Sequence, residues 1–419
     1  MPRELYIVDG CRTPFTKIGT KLADEPVQNL GISTAKHLIS SNSLDVNLID
    51  HVVYGCVNQP ATAQNVARVI SVKSGIPHCV PAVSVHRNCA SGFESITYAY
   101  DKAQANKGDV FLVGGVESMS QMPFLYNESG KNKFSKLGTS RTVGQKIKTL
   151  LSFRPSDFAP DIAIKLGLVD PLCDLGMGQT AEKIARQFGI SRKEQDEFAV
   201  RSQRGAIIHK QFLDEEIAPF YKTNNNCLRS YNGEIVSTDN GPREPSIKLF
   251  NLKPIFDRKE GTVTAGNSSQ ITDGGVSLLL MTKEGLEKTN STPIGELVDY
   301  SYVGCDPSTM GLGPVYSTQQ LLERSNVSLD DFDLFEINEA FAAQVLGVLK
   351  LMKETVGEIP LNKLNLQGGS IALGHPLAAS GSRLVLTMLH QLRRDKKENG
   401  LVTACVGGGQ GGTLWLKAL

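Results

Sequence analysis

The chain alternates over most of its length between short apolar runs and helical segments, joined by turns of small residues. In the first 120 residues such runs occur at 5–10, 51–57, 83–85 and 109–120, with helical spacing at 29–40, 65–75 and 93–100. Strands that alternate with helices predict a mainly parallel sheet with helices on both faces. This α/β pattern constrains the fold more than any other feature of the sequence.

The last third of the chain repeats the same kind of unit. HRNCASGFESI (86–96) resembles SIALGHPLAASGSRLV (370–385), and DVFLVGGVES (109–118) resembles LVTACVGGGQGG (401–412). We expect strand, small-residue turn and helix at 261–286 and 364–392, a strand at 293–305 and a strand entering a helix at 333–349. The repetition predicts two related α/β halves whose turn ends face each other, with the ligand beyond the carboxyl ends of the strands.

The middle of the chain has a different character. Residues 131–154 contain seven basic residues and no acidic one, and Leu150, Leu151 and Phe153 follow at the end. This segment is either a solvated insertion or a surface that attracts phosphates or acidic lipid head groups. Helical patterns resume at 179–190 and after a capping box of Ser191 and Glu194. Residues 222–252 are polar and turn-rich, which predicts an irregular excursion.

Composition excludes several classes of protein. The 419 residues are 40% hydrophobic and 21% charged with a net charge of +1, so a globular protein of two or three domains is expected and nucleic-acid binding is not. The eight cysteines include no CxxC pair, which argues against a zinc site and a disulfide framework. The N-terminal residues resemble neither a signal nor a transit peptide, and no apolar run reaches membrane-span length, so we expect a cytoplasmic location.

Cys89 is the first candidate for chemistry. It lies on the turn between the strand at Val83–Val85 and the following helix, next to the small residues Ala90, Ser91 and Gly92. First-turn N–H groups and the helix dipole would stabilise its thiolate and lower a pKa that is about 8.5 in free cysteine. The alternative is a buried structural cysteine.

Three further groups lie at or near predicted strand ends beside small residues: Asn338, His375 and Cys405. Pro376 fixes the backbone after His375, which favours a tight loop. The glycines at 407–412 lack the GxxxxGK spacing of a phosphate loop, so we reject a nucleotide site.

The motifs around these residues resemble those of the thiolase family. They are NCASG (88–92), GTVTAGNSS (261–269), NEAFA (338–342), GGSIALGHPLAASG (368–381) and CVGGGQGG (405–412). The resemblance covers essentially the whole chain. The basic insertion and the TAEKIA and SRKEQDEFAVRS segments are most similar to the β subunit of the trifunctional fatty-acid oxidation complex. Many of those subunits have His in place of the Asn of NEAF, whereas this chain keeps Asn338, as the soluble thiolases do.

The resemblance implies a reaction and a role for each residue. Cys89 would be the nucleophile that attacks the ketone of a 3-ketoacyl thioester, and His375 the base that forms its thiolate. Cys405 would protonate the departing acetyl-CoA carbanion and then deprotonate incoming CoA. Coenzyme A is a co-substrate in this reaction, which needs no tightly bound cofactor and no metal.

The same resemblance places two oxyanion sites. The backbone N–H groups of Cys89 and Gly407 would bind the oxygen of the tetrahedral intermediate. His375 and a water held by Asn338 would bind the enolate oxygen, and Ser269 would lie along the pantetheine arm of CoA.

The implied fold has two related α/β halves in a layered αβαβα arrangement with an inserted loop domain. Residues 1–120 and 262–288 would form the N-terminal half, 121–261 the loop domain and 289–419 the C-terminal half. We expect a homodimer or homotetramer, with a hydratase–dehydrogenase α subunit or an anionic membrane surface as a partner of the insertion.

The expected activity is that of a 3-ketoacyl-CoA thiolase in fatty-acid β-oxidation. An acetyl-CoA acetyltransferase that works in the condensing direction is the alternative, because it uses the same residues. A ketoacyl synthase pairs one Cys with two His residues and fits less well. An inactive lipid-binding or scaffolding member of the fold is disfavoured by the intact set of reactive residues.

Overall fold

A computed structural model describes residues 3–223 and 231–419, which contain a large mixed sheet, three two-stranded sheets and helices that cover both faces of the large one. The strands are β1 Leu5–Arg12, β2 Thr16–Lys17, β3 His51–Gly55, β4 Ala82–Val85, β5 Val110–Glu117, β6 Phe124–Tyr126, β7 Pro160–Ile162, β8 Val169–Asp170, β9 Leu175–Gly176, β10 Phe220–Thr223, β11 Tyr231–Val236, β12 Thr272–Met281, β13 Gly295–Gly304, β14 Leu334–Ile337, β15 Asn399–Val406 and β16 Gln410–Ala418. The α-helices are α1 Val27–Ser41, α2 Val66–Lys73, α3 Ser91–Gln104, α4 Glu128–Thr139, α5 Val143–Leu151, α6 Ala163–Gly167, α7 Met177–Gln187, α8 Arg192–Ile208, α9 Lys210–Glu215, α10 Lys283–Thr289, α11 Gly313–Ser325, α12 Ala342–Thr355, α13 Ser370–Leu373 and α14 Leu377–Arg394.

The large sheet has the strand order β14-β15-β16-β13-β1-β12-β5-β3-β4, and β2 pairs with β12. Only the two ends of this order are parallel: β14 with β15, and β3 with both β4 and β5. The five remaining pairs along the path are antiparallel, so the prediction of a mainly parallel sheet was wrong. The three-residue connection from β15 to β16 is too short for a parallel crossover, which needs a dozen residues or more.

The helices form layers with the strands of this sheet. Alternate residues of β5 face opposite sides: Leu112 packs with α1 and α2, whereas Val113 packs with α3 and α14. In the C-terminal half, Leu401 of β15 faces α12 while Val402 faces α14. Helices α3 and α14 therefore lie between two sets of strands, with α1 and α2 outside one set and α11 and α12 outside the other. The layered αβαβα prediction is confirmed.

The two central helices approach each other closely at glycines. A Cβ on Gly92 of α3 would lie 2.6 Å from the backbone nitrogen of Ser382 in α14. A Cβ on Gly381 of α14 would lie 2.8 Å from the backbone nitrogen of Phe93. These small residues bring the N-terminal ends of both helices, and the loops before them, to one place in the molecule.

Two predicted units differ from the structure. Residues 272–281 form the central strand β12 and not a helix, because this fully buried segment pairs with β1 on one side and β5 on the other. Residues 364–369 form no strand; a single bridge joins Leu364 to Phe335. Asn365 and Gly368 have φ of 43° and 78°, so the backbone turns there instead of extending.

The segment after β5 begins with a compact helical unit, residues 124–162. Phe153 is half-buried against Phe134 and Phe158, so it belongs to the small core of this unit rather than to its surface. Asp157 is buried and accepts hydrogen bonds from Lys133 Nζ (2.6 Å) and Ser129 Oγ (2.7 Å). The unit is thus folded by its own contacts and is more than a solvated loop.

The polar stretch 222–252 is not wholly irregular, because β11 pairs with β10 in a two-stranded antiparallel sheet. Part of the predicted excursion, residues 224–230, lies outside the described residues, as does Cys227. The predicted capping box of Ser191 and Glu194 is confirmed at the start of α8. In the part of the chain that the structure describes, no helix combines the length and apolarity that crossing a bilayer would require.

Candidate active site

The Cys89 loop connects β4 to α3 and is held by its own polar groups. Ser91 Oγ accepts a hydrogen bond from the backbone N–H of Arg87 (2.9 Å) and donates one to the Asn88 carbonyl (2.7 Å). Asn88 has a left-handed φ of 42°, a conformation that asparagine tolerates better than most residues. The predicted strand, tight turn and helix are therefore present, and Cys89 is half-buried on the turn.

The environment of Cys89 acts on its thiol in two opposing ways. Burial raises the pKa of the Cys89 thiol to about 11, while hydrogen bonds from the backbone of Gly407 and of Cys89 itself act to lower this pKa. The expectation of a lowered pKa was wrong, because the desolvation of the thiolate outweighs the backbone donors. The two donors are nonetheless the pair of N–H groups that the thiolase resemblance implies.

The second cysteine lies close to the first. Cys405 is fully buried near the end of β15, and burial raises the pKa of its thiol well above the usual value. The charge of Cys89 raises the pKa of Cys405 further, so the two sulfurs interact electrostatically. The loop that follows Cys405 contacts the Cys89 loop, because Asn88 Nδ2 donates a 2.8 Å hydrogen bond to the Gly407 carbonyl.

His375 lies between α13 and α14, and its ring is oriented by Ser380. Ser380 Oγ donates to the Pro376 carbonyl (3.0 Å), so its contact with His375 Nδ1 at 2.6 Å has the ring nitrogen as donor. This arrangement assigns the proton of a neutral ring to Nδ1 and leaves Nε2 free to accept one. Burial, and then the charge of Arg383, lowers the pKa of His375 to about 4. The imidazole is therefore neutral near pH 7.

Asn338 faces the accepting nitrogen of this ring. Its Nδ2 lies 3.5 Å from His375 Nε2, and its Oδ1 accepts a 2.7 Å hydrogen bond from Ser370 Oγ. The Asn338 backbone N–H donates to the carbonyl of Thr403 on the adjacent strand β15 (2.9 Å). Because Thr403 lies two residues before Cys405, the parallel pair β14–β15 brings Asn338 and Cys405 to the same edge of the sheet.

Ser269 lies beside these segments. Its backbone N–H donates to the carbonyl of Ala340 (2.9 Å), and the carbonyl of the next residue, Gln270, accepts from the backbone N–H of His375 (2.9 Å). Ser269 itself is half-buried. Its side chain therefore lies next to the loops that carry Asn338 and His375, where a ligand could contact it.

The structure thus connects the predicted residues through two sets of contacts. One set joins Cys89, Cys405 and Gly407, and the other joins Asn338 and His375. Among the described residues, no side-chain hydrogen bond links His375 directly to either thiol. The proton transfer between Cys89 and His375 therefore stays a prediction, and such contacts commonly tighten only when substrate is present.

Sequence reasoning missed a buried carboxyl group at this site. Glu117, the last residue of β5, is fully buried and accepts hydrogen bonds from the N–H groups of Asn58 (2.8 Å), Ala378 (3.1 Å) and Val57 (3.2 Å). Burial raises the pKa of Glu117 to about 7 against these donors. Its bond to Ala378 anchors the start of α14 directly after the His375 loop. The signal in the sequence was a glutamate that ends an otherwise apolar run.

Comparison with known families agrees with this geometry. A family model described as the N-terminal domain of thiolase matches residues 5–284, and one described as the C-terminal domain of thiolase matches residues 291–418. The chain belongs to the thiolase family. It is 41% identical over 406 residues, 95% of each chain, to a probable acetyl-CoA acyltransferase of Staphylococcus aureus strain COL. It is therefore an acyltransferase enzyme.

Solved structures of thiolases have the same fold over the full chain. The acetyl-CoA acetyltransferase of Bacillus anthracis has a TM-score of 0.88 and 31% identity, covering 100% of this chain and 99% of that one. The human mitochondrial 3-ketoacyl-CoA thiolase in complex with CoA has a TM-score of 0.86 and 32% identity, covering 100% and 98%. Thiolases use CoA as a substrate and hold no tightly bound cofactor.

Proposed function

We propose that this thiolase is a 3-ketoacyl-CoA thiolase that cleaves 3-ketoacyl-CoA with CoA to acetyl-CoA and a shortened acyl-CoA in fatty-acid β-oxidation. The observation that carries the proposal is the convergence of two thiols, a neutral imidazole and a buried amide on the loops at one edge of the sheet. This set supplies one nucleophile, one base and one separate acid, which cleavage of a carbon–carbon bond next to a thioester requires.

In the first half-reaction the Cys89 sulfur attacks the ketone carbon of the substrate. The thiol proton passes to Nε2 of His375, which is free to accept it because Nδ1 donates to Ser380. The oxygen that gains the negative charge lies between the backbone N–H groups of Cys89 and Gly407. Collapse of this intermediate leaves an acyl group on Cys89 and expels the acetyl-CoA carbanion.

The carbanion is stabilised as an enolate and then protonated. His375, now protonated at Nε2, and a water held by Asn338 bind the enolate oxygen, while the Cys405 thiol supplies the proton to carbon. A thiol of high pKa suits this step, because it is close in strength to a weak carbon acid. In the second half-reaction Cys405 deprotonates incoming CoA, whose thiolate takes the acyl group from Cys89.

The proposed degradative direction is supported by apolar surface around the insertion. Phe124 and Leu125 of β6 and Leu166 of α6 are exposed, and the segment that carries them starts directly after the buried end of β5. We propose that this surface, together with Ser269 along the pantetheine arm, accommodates a long acyl-CoA. The alternative is acetyl-CoA condensation by the same residues, in which case short substrates suffice.

We also propose the domain division and partners expected above. Strand β12 pairs between β1 and β5, which supports joining residues 262–288 to the half formed by 1–120. Strand β4 lies at one end of the sheet with four half-buried residues, and it supports dimerisation through this half. A tetramer and a cytoplasmic location remain part of the same proposal.

The insertion is proposed to dock an acidic surface, either a hydratase–dehydrogenase α subunit or anionic lipid. Helix α5 exposes Val143, Ile147, Leu150 and Leu151, which the spacing i, i+4, i+7 and i+8 places on one face. Of the seven basic residues at 131–154, only Lys133 forms an ion pair among the described residues.

The deciding experiment measures CoA-dependent cleavage of 3-ketoacyl-CoA substrates from four to sixteen carbons, on the order of chain lengths met in fatty acids. We expect activity that persists at long chains, with an acyl group found on Cys89 by mass spectrometry. Cys405→Ser should slow proton exchange at the methyl group of acetyl-CoA far more than acylation by a simple acyl-CoA. Activity confined to acetoacetyl-CoA would favour the acetyltransferase alternative, and acyl label on another cysteine would contradict the mechanism.

A further inference from the structure

The loop Gly407–Gly409, which carries one of the proposed oxyanion donors, is held from three sides. Asn88 Nδ2 donates to the Gly407 carbonyl (2.8 Å), and the backbone N–H of Cys305 donates to the Gly409 carbonyl (2.7 Å). The third contact is a hydrogen bond of 2.8 Å from the Gly408 N–H to Asp170 Oδ2. The first two partners belong to the catalytic halves, whereas Asp170 comes from the inserted segment.

The carboxylate of Asp170 is held in place by its own hairpin. Asp170 is buried at the end of β8, and its other carboxylate oxygen, Oδ1, accepts the backbone N–H of Leu172 at 2.9 Å. Its own carbonyl accepts the N–H of Asp174 (2.8 Å), which closes the β8–β9 hairpin. The carboxylate is therefore fixed by the turn that follows it and directs one oxygen at the Gly408 amide.

The geometry of the glycine loop explains why the contact matters. Gly408 has φ of 89°, a left-handed conformation that glycine adopts readily, and its N–H donates to the hairpin at Asp170. The neighbouring amide of Gly407 is the one that acts on Cys89. Successive peptide planes are linked through a single Cα, so fixing the Gly408 amide restricts the rotation that would turn the Gly407 amide away.

We propose that Asp170 is a positioning residue for the reaction: the inserted hairpin Val169–Gly176 orients the oxyanion donor Gly407 through the Gly408 amide. The insertion then contributes to chemistry, which the sequence did not suggest because none of the four reactive groups lies in it. This inference rests on the proposed role of Gly407 in the thiolase reaction.

The test follows transfer of an acetyl group from acetyl-CoA to Cys89, in which the bond to the CoA sulfur breaks and a bond to the Cys89 sulfur forms. Intact mass in a rapid-quench experiment gives the rate. Removal of one oxyanion donor lowers rates by about 10²–10³-fold, and a donor that is present but poorly oriented should cost less. We expect Asp170→Ala to slow acylation about 10- to 100-fold with KM changed less than about twofold.

A second readout separates positioning from general loosening. The Gly407 amide lowers the pKa of Cys89, so Asp170→Ala should shift the pH midpoint of Cys89 alkylation by iodoacetamide upward. Leu172→Ala is the matched control, because this residue lies in the same hairpin and is 69% exposed. It should keep both the wild-type acylation rate and the wild-type midpoint.

A wild-type acylation rate in Asp170→Ala, or an equal loss in Leu172→Ala, would overturn the proposal. If the alanine variant does not fold, Asp170→Asn replaces it in the test. The asparagine side chain has one carbonyl oxygen for the two amide donors, so the acylation rate should fall several-fold. A wild-type acylation rate in Asp170→Asn would contradict the proposal. Failure of the wild-type enzyme to acylate Cys89 would instead refute the proposed function.

Discussion

Ser380→Ala tests whether the orientation of His375 controls proton transfer. The substitution removes the oxygen that accepts the Nδ1 proton at 2.6 Å and leaves the helix α14 otherwise intact. Both residues are buried, so no bulk water replaces the lost acceptor. The ring then keeps its tautomer with an unpaired N–H, or it moves the proton to Nε2 and can no longer accept one from Cys89.

The expected cost follows from the burial of this hydrogen bond. Leaving a buried donor without a partner costs about 1–3 kcal/mol. If this energy opposes only the reactive tautomer, the rate of Cys89 acylation should fall roughly 5- to 150-fold, since each 1.36 kcal/mol is a factor of ten. Substrate affinity should change little, because Ser380 is fully buried and contacts the ring at Nδ1 rather than at the accepting nitrogen Nε2.

The assay is kcat and KM for thiolysis of a short 3-ketoacyl-CoA, together with single-turnover acylation of Cys89. Ser382→Ala provides the matched control, since Ser382 is a buried serine two residues along α14 that donates to the Gly92 carbonyl at 3.3 Å and does not bond His375. We expect it to retain kcat. Unchanged kcat in Ser380→Ala, or equal losses in both variants, would refute the tautomer argument.

Three further predictions concern stability, docking and assembly. The pKa of Glu117, about 7 against an ordinary 4.5, means that the folded state binds a proton that the unfolded state releases between these values. The free energy of unfolding of the wild type, compared with that of Glu117→Gln, should therefore decrease by roughly 3 kcal/mol as pH rises from 4.5 to above 7. Urea unfolding of both proteins across this pH range measures the difference, and a difference that does not change with pH would contradict the raised pKa of Glu117. Reversing Lys136, Lys146 and Lys148 to Glu should weaken binding to anionic vesicles or to a partner subunit and remove its salt sensitivity, while short-chain cleavage survives; binding that stays unchanged would exclude this surface. Light scattering should show at least a dimer, and a stable, active monomer at low concentration would contradict pairing through the N-terminal half.

The sequence predicted those elements in which local pattern and tertiary environment agree. The turn at Cys89 combines a β-branched run, small residues and helical spacing, and all three are present in the structure. The run 272–281 was predicted to enter a helix because its apolar end, VSLLLM, is too short and too uniformly buried for periodicity to separate a buried strand from a buried helix. The segment forms a strand because it pairs with β1 and β5, and both of these strands are far from it in the chain.

The site residues also divide into those that a local sequence pattern identifies and those that depend on contacts between distant segments. Cys89, His375 and Cys405 were identifiable because each combines a reactive side chain with a small-residue turn. Glu117 and Asp170 act through backbone amides of other segments, Ala378 and Gly408, which are 261 and 238 positions away. No local pattern reports such contacts. The direction of the Cys89 pKa shift was wrong for a related reason, because burial is a property of the folded chain.

The inserted segment consists of two parts that an experiment can separate. Residues 127–159 close on themselves through the aromatic cluster and Asp157, whereas the hairpin Val169–Gly176 is bonded to the catalytic loop through Asp170. Strands β6 and β7 pair antiparallel, and Tyr126 and Pro160 form the pair at the end where residues 127–159 leave and return. A short turn could therefore join the two strands in place of these residues without disturbing the pairing. Replacing 127–159 with Asn-Gly, a sequence suited to a two-residue hairpin, removes the first part alone.

The shortened enzyme should lose docking because the basic residues of 131–154 are gone. It should also lose long-chain cleavage if the apolar face of α5 covers the far end of a long acyl tail, beyond the surface of β6 and α6 that remains. Cleavage of short substrates should survive, because Asp170 still holds Gly408. The measurement is the ratio of kcat/KM for long and short 3-ketoacyl-CoA, with vesicle co-sedimentation beside it. An unchanged ratio with unchanged association would make residues 127–159 a solvated appendage. Loss of short-chain cleavage in a folded variant would show that the helical unit, and not only the hairpin, supports the catalytic loops.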